Sequence, residues 1–162
     1  MIEKATALAK TRGWDFDILS PLQLALAIPS PHWKFYYTVE LFCSIDGGAW
    51  GFVALKEFEV MGERDPEVSL AVGLLRQFFT PDEIDILPAP QYLIRYIRDI
   101  EIDTDDKGES QLGREIDEAL AQIDMAWIVL MLVNWGGKSA ADAIAQVNAS
   151  ELQDLSEKQS NS

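Results

Sequence analysis

WKFYYTVELFC, the stretch from Trp33 to Cys43, decides the fold because every second residue in it is apolar or aromatic. This period of two is typical of a half-buried β-strand. Asp46-Gly47-Gly48 follows, and Asp-Gly and Gly-Gly both tolerate the positive φ angles of a tight hairpin turn. Large apolar residues recur from Trp50 onward. The pattern predicts an antiparallel β-hairpin with strands at about 33–45 and 49–60.

The register of this hairpin can be tested against the apolar pattern. With Asp46-Gly47 as the turn, opposed residue numbers sum to 93, so that Cys43 faces Trp50. This register, or one shifted by two, gathers the large apolar groups on one face, whereas a loop longer by one residue would mix the faces. Lys56 is the exception on the inner face, and near a sheet edge its stem can reach water.

The outer face of the hairpin also carries apolar groups, namely Tyr36, Phe42, Val53 and Leu55. Either a second layer of helices covers them, or they form an exposed aromatic platform for a partner. The number of helical segments in the chain favours the covering layer.

Helical patterns lie on both sides of the hairpin. A first helix over 2–12 ends at Gly13, and Ser20-Pro21 indicates an N-cap that opens a second helix through 22–28. Helical spacing resumes over 68–79. Thr80-Pro-Asp-Glu83 then fits a capping box that opens another helical turn.

Residues 91–103 fit two interpretations. A strand would place Tyr92, Ile94, Tyr96, Ile100 and Ile102 on one face, with Arg98 as the exception, whereas a helix would align Leu93, Ile97 and Ile100. The tyrosine and isoleucine content favours a third strand at about 92–102.

A long helix is predicted at about 111–135 because apolar residues recur there every three or four positions. Gly136-Gly137 ends it, and a last helix covers about 140–147. The whole pattern predicts an α+β fold in a single globular domain over 1–155, with a disordered polar tail at 156–162.

The chain is strongly acidic. Its 162 residues have a formal net charge of −14, and residues 56–118 hold 17 acids against 7 bases. Such a field repels phosphate backbones and anionic membranes and attracts basic proteins. We therefore predict a basic protein partner, with no direct nucleic-acid or membrane binding.

Carboxylates are densest between residues 99 and 109. They form either a patch that docks onto a basic groove, as a nucleic-acid mimic would, or a solvated face that keeps the protein soluble. An EF-hand does not fit, because Lys107 and Arg114 occupy two positions that need oxygen ligands. No metal or cofactor is predicted. The predicted partner-binding patch consists of Asp99, Glu101, Asp103, Asp105, Asp106 and Glu109.

No catalytic residue is predicted. Cys43 is the only cysteine, which excludes an internal disulfide, and His32 is the only histidine. Eleven positions of one straight strand would separate them by about 36 Å, too far for a Cys–His pair. Cys43 is expected in the core and His32 in a loop.

The longest apolar run, Met125–Val133, is too short to span a bilayer, which needs about 20 residues. No signal peptide is visible at the N-terminus, so we expect a cytoplasmic protein.

Three functions fit the sequence. The first is a non-enzymatic acidic binding protein that inhibits or regulates a basic partner, a class that includes nucleic-acid-binding proteins. The second is an assembly subunit whose Met125–Val133 segment and hairpin face form a homo-oligomer. The third is an enzyme with a carboxylate site that no motif reveals.

Overall fold

The computed structural model describes residues 2–79, 82–87, 93–102 and 109–148, with side chains from residue 111 in the last range. The predicted α+β fold is confirmed: six antiparallel strands form one sheet in the order β1-β2-β3-β4-β6-β5. A short 3-10 helix at Gly62–Arg64 precedes the second α-helix. The elements are α1 (Ile2–Arg12), β1 (Asp15–Ser20), β2 (Gln23–Pro29), β3 (Tyr36–Cys43), β4 (Ala49–Glu57), α2 (Asp65–Leu75), β5 (Glu83–Leu87), β6 (Leu93–Glu101), α3 (Glu109–Asn134) and α4 (140–148).

The predicted hairpin is β3 and β4, and its register is confirmed. Cys43 pairs with Trp50 and Leu41 pairs with Phe52. The Gly47 N–H donates to the Ser44 carbonyl at 3.0 Å, and Gly47 has a φ of 77°, so glycine suits this turn position. Both strands are shorter than predicted, because β3 begins at residue 36 and β4 ends at residue 57.

The predicted helix at 22–28 is wrong, because residues 23–29 form strand β2. Leu24, Leu26 and Ile28 are buried at alternate positions between β1 and β3. Pairing on both sides overrides the helix propensity of a segment rich in leucine and alanine. Ser20 is not a helix cap: its Oγ accepts the Leu22 N–H at 3.2 Å within the tight β1–β2 turn.

The predicted helical turn at Thr80–Glu83 is also wrong at its far end, since Glu83 begins strand β5. Thr80 and Pro81 lie outside the described residues. The third strand is confirmed as β6, which pairs with β4 along its whole length. The domain boundary at 155 and the disordered tail stay predictions, because residues 149–162 lie outside the described range.

The predicted long helix is α3, and its apolar stripe forms the centre of the core. α3 packs against α1, α2 and β6. Trp127 contacts the rings of Phe35 and Phe58 edge-on, with centroids 5.1 and 5.6 Å away. The Lys56 ammonium lies 4.4 Å from the centroid of Phe35, which gives this inward-facing lysine a cation–π contact. The predicted stripe residues Leu112, Ile116, Leu120, Ile123, Trp127 and Leu130 are all buried.

Two glycines provide a matched test of local backbone energetics. Gly13 ends α1 with a φ of 67°, whereas Gly73 lies inside α2 with no atom within 4 Å of an added Cβ. We predict that Gly13→Ala lowers the free energy of unfolding by about 1 kcal/mol, because alanine disfavours left-handed backbone. Gly73→Ala should raise it by about 0.5–1 kcal/mol, because alanine is the better helix former. Urea denaturation measures both, and changes of the same sign would contradict the prediction.

Candidate binding surface and two buried carboxylates

One face of the sheet is left open by the described helices. Tyr37, Val39 and Leu41 of β3 point into the helical layer and are fully buried, whereas Tyr36 and Phe42 point the other way and are 63% and 40% exposed. For the described helices, the prediction that both faces are covered is therefore wrong. The same parity runs through β2, β4 and β6, where buried residues alternate with half-buried or exposed ones, so the described helices pack on one side of the sheet.

We call the uncovered side the open face. Strand register places eight acids and one base on it within the described strands. The base, Arg95, forms a two-pronged ion pair with Asp85 at 3.1 and 2.6 Å, which raises the pKa of the guanidinium. The open face therefore has a strong negative field. Its acids are Asp15, Asp17, Glu40, Glu57, Glu83, Asp85, Asp99 and Glu101.

The centre of the open face is apolar. Val53 of β4 is directly opposed to Ile97 of β6, and both are half-buried. Phe42 is opposed to Gly51, which lacks a side chain, so the phenyl ring lies beside bare backbone. An apolar centre with a charged surround is the usual composition of a protein-binding surface.

The predicted acidic patch is only partly contained in the described residues. Asp99 and Glu101 are exposed and project from the open face at alternate positions of β6. Asp103, Asp105 and Asp106 lie outside the described residues, as does the side chain of Glu109, the first residue of α3. Sequence reasoning missed the acids of β1 and β5, although acids two apart at residues 15 and 17 signal a strand with one acidic face.

A buried carboxylate, Asp124 of α3, anchors the loop between β2 and β3. Its side chain accepts hydrogen bonds from the Ser30 hydroxyl (3.0 Å), the Tyr37 hydroxyl and Nδ1 of His32 (2.8 Å). Burial, followed by the nearby carboxylate, raises the pKa of Tyr37, so its hydroxyl remains a donor. Ser30 Oγ also accepts the N–H groups of His32 and Trp33, which closes the loop.

His32 is more than the ordinary loop residue that the sequence predicts. Its ring is held by Asp124, yet the side chain is 65% exposed and borders a groove of about 360 Å³ beside Trp14 and Leu120. Among the described residues, no hydroxyl or thiol bonds to Nε2 of this ring. Cys43 is buried as predicted, and burial raises the pKa of its thiol. The Asp124 group therefore has the geometry of a loop anchor.

A second buried carboxylate, Asp82, lies before β5. It accepts a hydrogen bond from the Tyr96 hydroxyl, and its Oδ1 is 3.8 Å from Nε of Arg98. Nη2 of Arg98 lies 3.1 and 3.0 Å from Glu115 and Glu118 of α3. Arg98 is the residue that breaks the apolar pattern of β6 in the sequence. The negative charges of these three acids compensate the positive charge of its partly buried guanidinium.

Comparison with known proteins gives a fold and no family. No family model matches this chain, and no curated protein matches it. One solved structure that it resembles is YbjN from E. coli, described as a candidate transcription regulator. The likeness covers 78% of this chain and 87% of that chain, with a TM-score of 0.52 and 10% identity. At this identity the likeness shows a shared α+β fold.

The part of the chain that the structure describes contains neither a metal-binding cluster nor a membrane-spanning helix. No group of three or more acidic, histidine or cysteine side chains is arranged to hold a metal ion. No described helix combines the length and the apolarity that crossing a bilayer needs.

Proposed function

We propose that this protein is a non-enzymatic binding protein that regulates a basic partner protein through the open face of its sheet. The observation that carries the proposal is the composition of that face: eight acids and one ion-paired base surround an apolar centre. Charge gives such a surface its selectivity and association rate, and the apolar centre supplies the area buried on binding.

Three further observations support this proposal. The inward acids Asp82 and Asp124 have hydrogen-bonding partners within the fold, whereas Asp15, Asp17 and Asp99 are exposed and form no side-chain hydrogen bond or ion pair with the described residues. YbjN, which shares the fold, is described as a candidate regulator, which is compatible with a regulatory binding role. A solvated face alone would not need the phenyl ring of Phe42, 40% exposed, among its acids.

Binding of a synthetic lysine-rich peptide tests the proposal, with a glutamate-rich peptide of equal length as the control. Calorimetry should detect binding of the lysine-rich peptide only. Its affinity should fall about tenfold or more between roughly 50 and 300 mM salt, because screening shortens the range of the field. Absence of binding at low salt would overturn the proposal.

Matched charge reversals then locate the site. Asp17→Lys with Asp99→Lys changes two acids of the open face, and Glu63→Lys with Asp142→Lys changes two exposed acids on the helical side. We predict that the first pair weakens binding about tenfold and the second by about twofold or less, although both change the net charge equally. Equal losses would mean that the charge acts only as a diffuse field.

A further inference from the structure

We propose that the outer edge of β1 accepts an extended basic segment of the partner as an additional strand. This inference rests on the proposed function and specifies where and how the partner binds. Within the described strands, β1 is paired only with β2. The backbone N–H and C=O groups on the other side of an edge strand are available to a further chain.

Two exposed apolar side chains on β1 indicate that its unpaired edge is a binding surface. Ile18 and Leu19 expose 57% and 53% of their surface. Strands at a sheet edge usually avoid this, because such an edge invites pairing with other chains. An added strand would cover Ile18 and Leu19 while its backbone pairs with β1.

The other edge of the sheet is less accessible. On β5, the Arg76 side chain donates from Nε to the Ile84 carbonyl at 2.8 Å, so α2 already uses one backbone acceptor there. Helix packing does not distinguish the two edges, because α1 packs against β1 as α2 packs against β5. β1 has no corresponding side-chain contact to its backbone from a helix among the hydrogen bonds of the described residues. The geometry therefore favours β1 over β5 as the docking edge.

The side chains of β1 define the chemistry of the incoming segment. Asp15 and Asp17 project from the open face, while Phe16 and Ile18 project from the other. Residues directly opposed across two strands share a face and interact. A complementary segment therefore has lysine or arginine at two positions separated by one residue, with apolar residues between and beside them.

The surface next to β1 can receive such cationic side chains. A shallow trough of about 470 Å³ runs beside Asp15 and Asp17, over Ala25 and Ala27, to Thr38. The two alanines of β2 leave room for the end of a lysine side chain that extends from the added strand past the aspartates of β1.

A second copy of this chain fits the edge less well. In antiparallel pairing centred on Phe16, Asp15 of one copy would oppose Asp17 of the other, and in pairing centred on Asp17 that residue would oppose itself. Like charges directly opposed destabilise a strand pair. The net charge of −14 also repels a second copy at a distance.

The test uses a short peptide in which lysine and valine alternate, and a peptide of the same composition with the lysines and valines in two blocks. Binding is measured to the intact protein, to the variant Asp15→Lys with Asp17→Lys on β1, and to the variant Asp99→Lys with Glu101→Lys, which changes two acids of the same open face on β6. Amide hydrogen exchange of β1 is followed with and without peptide, because backbone pairing slows the exchange of edge amides.

We expect the alternating peptide to bind more tightly than the block peptide and to slow exchange in β1. The β1 variant should lose about tenfold or more in affinity, and the β6 variant, whose acids belong to the open face but lie away from this edge, about threefold. Equal losses in both variants, with unchanged β1 exchange, would overturn the added strand and leave the proposed function standing. Failure of both lysine peptides to bind would overturn both. Slow β1 exchange in a peptide-free dimer would assign the edge to a second copy.

Discussion

Asp124→Ala is expected to lower the free energy of unfolding by about 3–5 kcal/mol. Asp124 is 1% exposed, and its loss leaves the hydroxyls of Ser30 and Tyr37 buried without their acceptor. Each unsatisfied buried group costs about 1–3 kcal/mol, and the space left by the side chain adds to that. Because Ser30 closes the loop that leads into β3, the damage should spread to residues 30–35.

Asp117→Ala is the matched control, since it removes the same residue type from the same helix. Asp117 forms an exposed ion pair with Arg12, with half of its side-chain surface in water, so the loss should be about 0.5 kcal/mol or less. Urea denaturation followed by far-UV circular dichroism gives both values. Similar losses for the two variants would contradict the anchoring role of Asp124.

Arg98→Met is expected to cost about 3 kcal/mol, the second largest effect that we predict. Arg98 is the cation nearest to Asp82, whose side chain is 4% exposed, and it also bridges to Glu115 and Glu118. Without it, Glu115 and Glu118 of α3 and Asp82 before β5 would face one another, and the buried charge of Asp82 would be uncompensated. Replacing one partner of a buried ion pair lowers the free energy of unfolding far more than replacing both partners.

The control for Arg98→Met is Arg95→Met on the same strand. Arg95 lies on the open face and pairs with Asp85, and 36% of its side-chain surface is in water, so its loss should cost less than about 1 kcal/mol. A double variant, Arg98→Met with Asp82→Asn, should recover part of the stability lost in Arg98→Met. Denaturation of the intact protein, of the single variants Arg98→Met and Asp82→Asn, and of the double variant measures the coupling, and an additive result would show that Arg98 acts through packing alone.

Local periodicity correctly predicted the elements whose apolar pattern fits only one secondary structure or one register. The β3–β4 register followed from apolar parity, because a slip by one residue would expose Trp50 and Phe52. The apolar stripe of α3 was also predicted correctly, because apolar residues recur every three or four positions and are buried in the structure. By contrast, the leucine- and alanine-rich segment at 23–29 suits a helix or a strand, and only its pairing with β1 and β3 selects the strand.

The candidate binding surface was only partly predictable. Acidic density along the chain pointed to Asp99 and Glu101, which lie on the open face. Asp15 and Asp17 are distant in sequence and join the same face only through the order of the strands. The contacts of His32 with Asp124 and of Arg98 with Asp82 were also missed, because the two residues of each pair lie in different elements of the fold.

The sequence by itself determined the negative charge, the α+β class, the hairpin register and the stripe of the long helix, because each depends on composition or on residues close in the chain. Only the tertiary structure decided which face of the sheet the helices cover, which strand is left with a free edge and which acids are buried. Those features depend on contacts between residues far apart in sequence, and local periodicity does not specify which elements pack against one another.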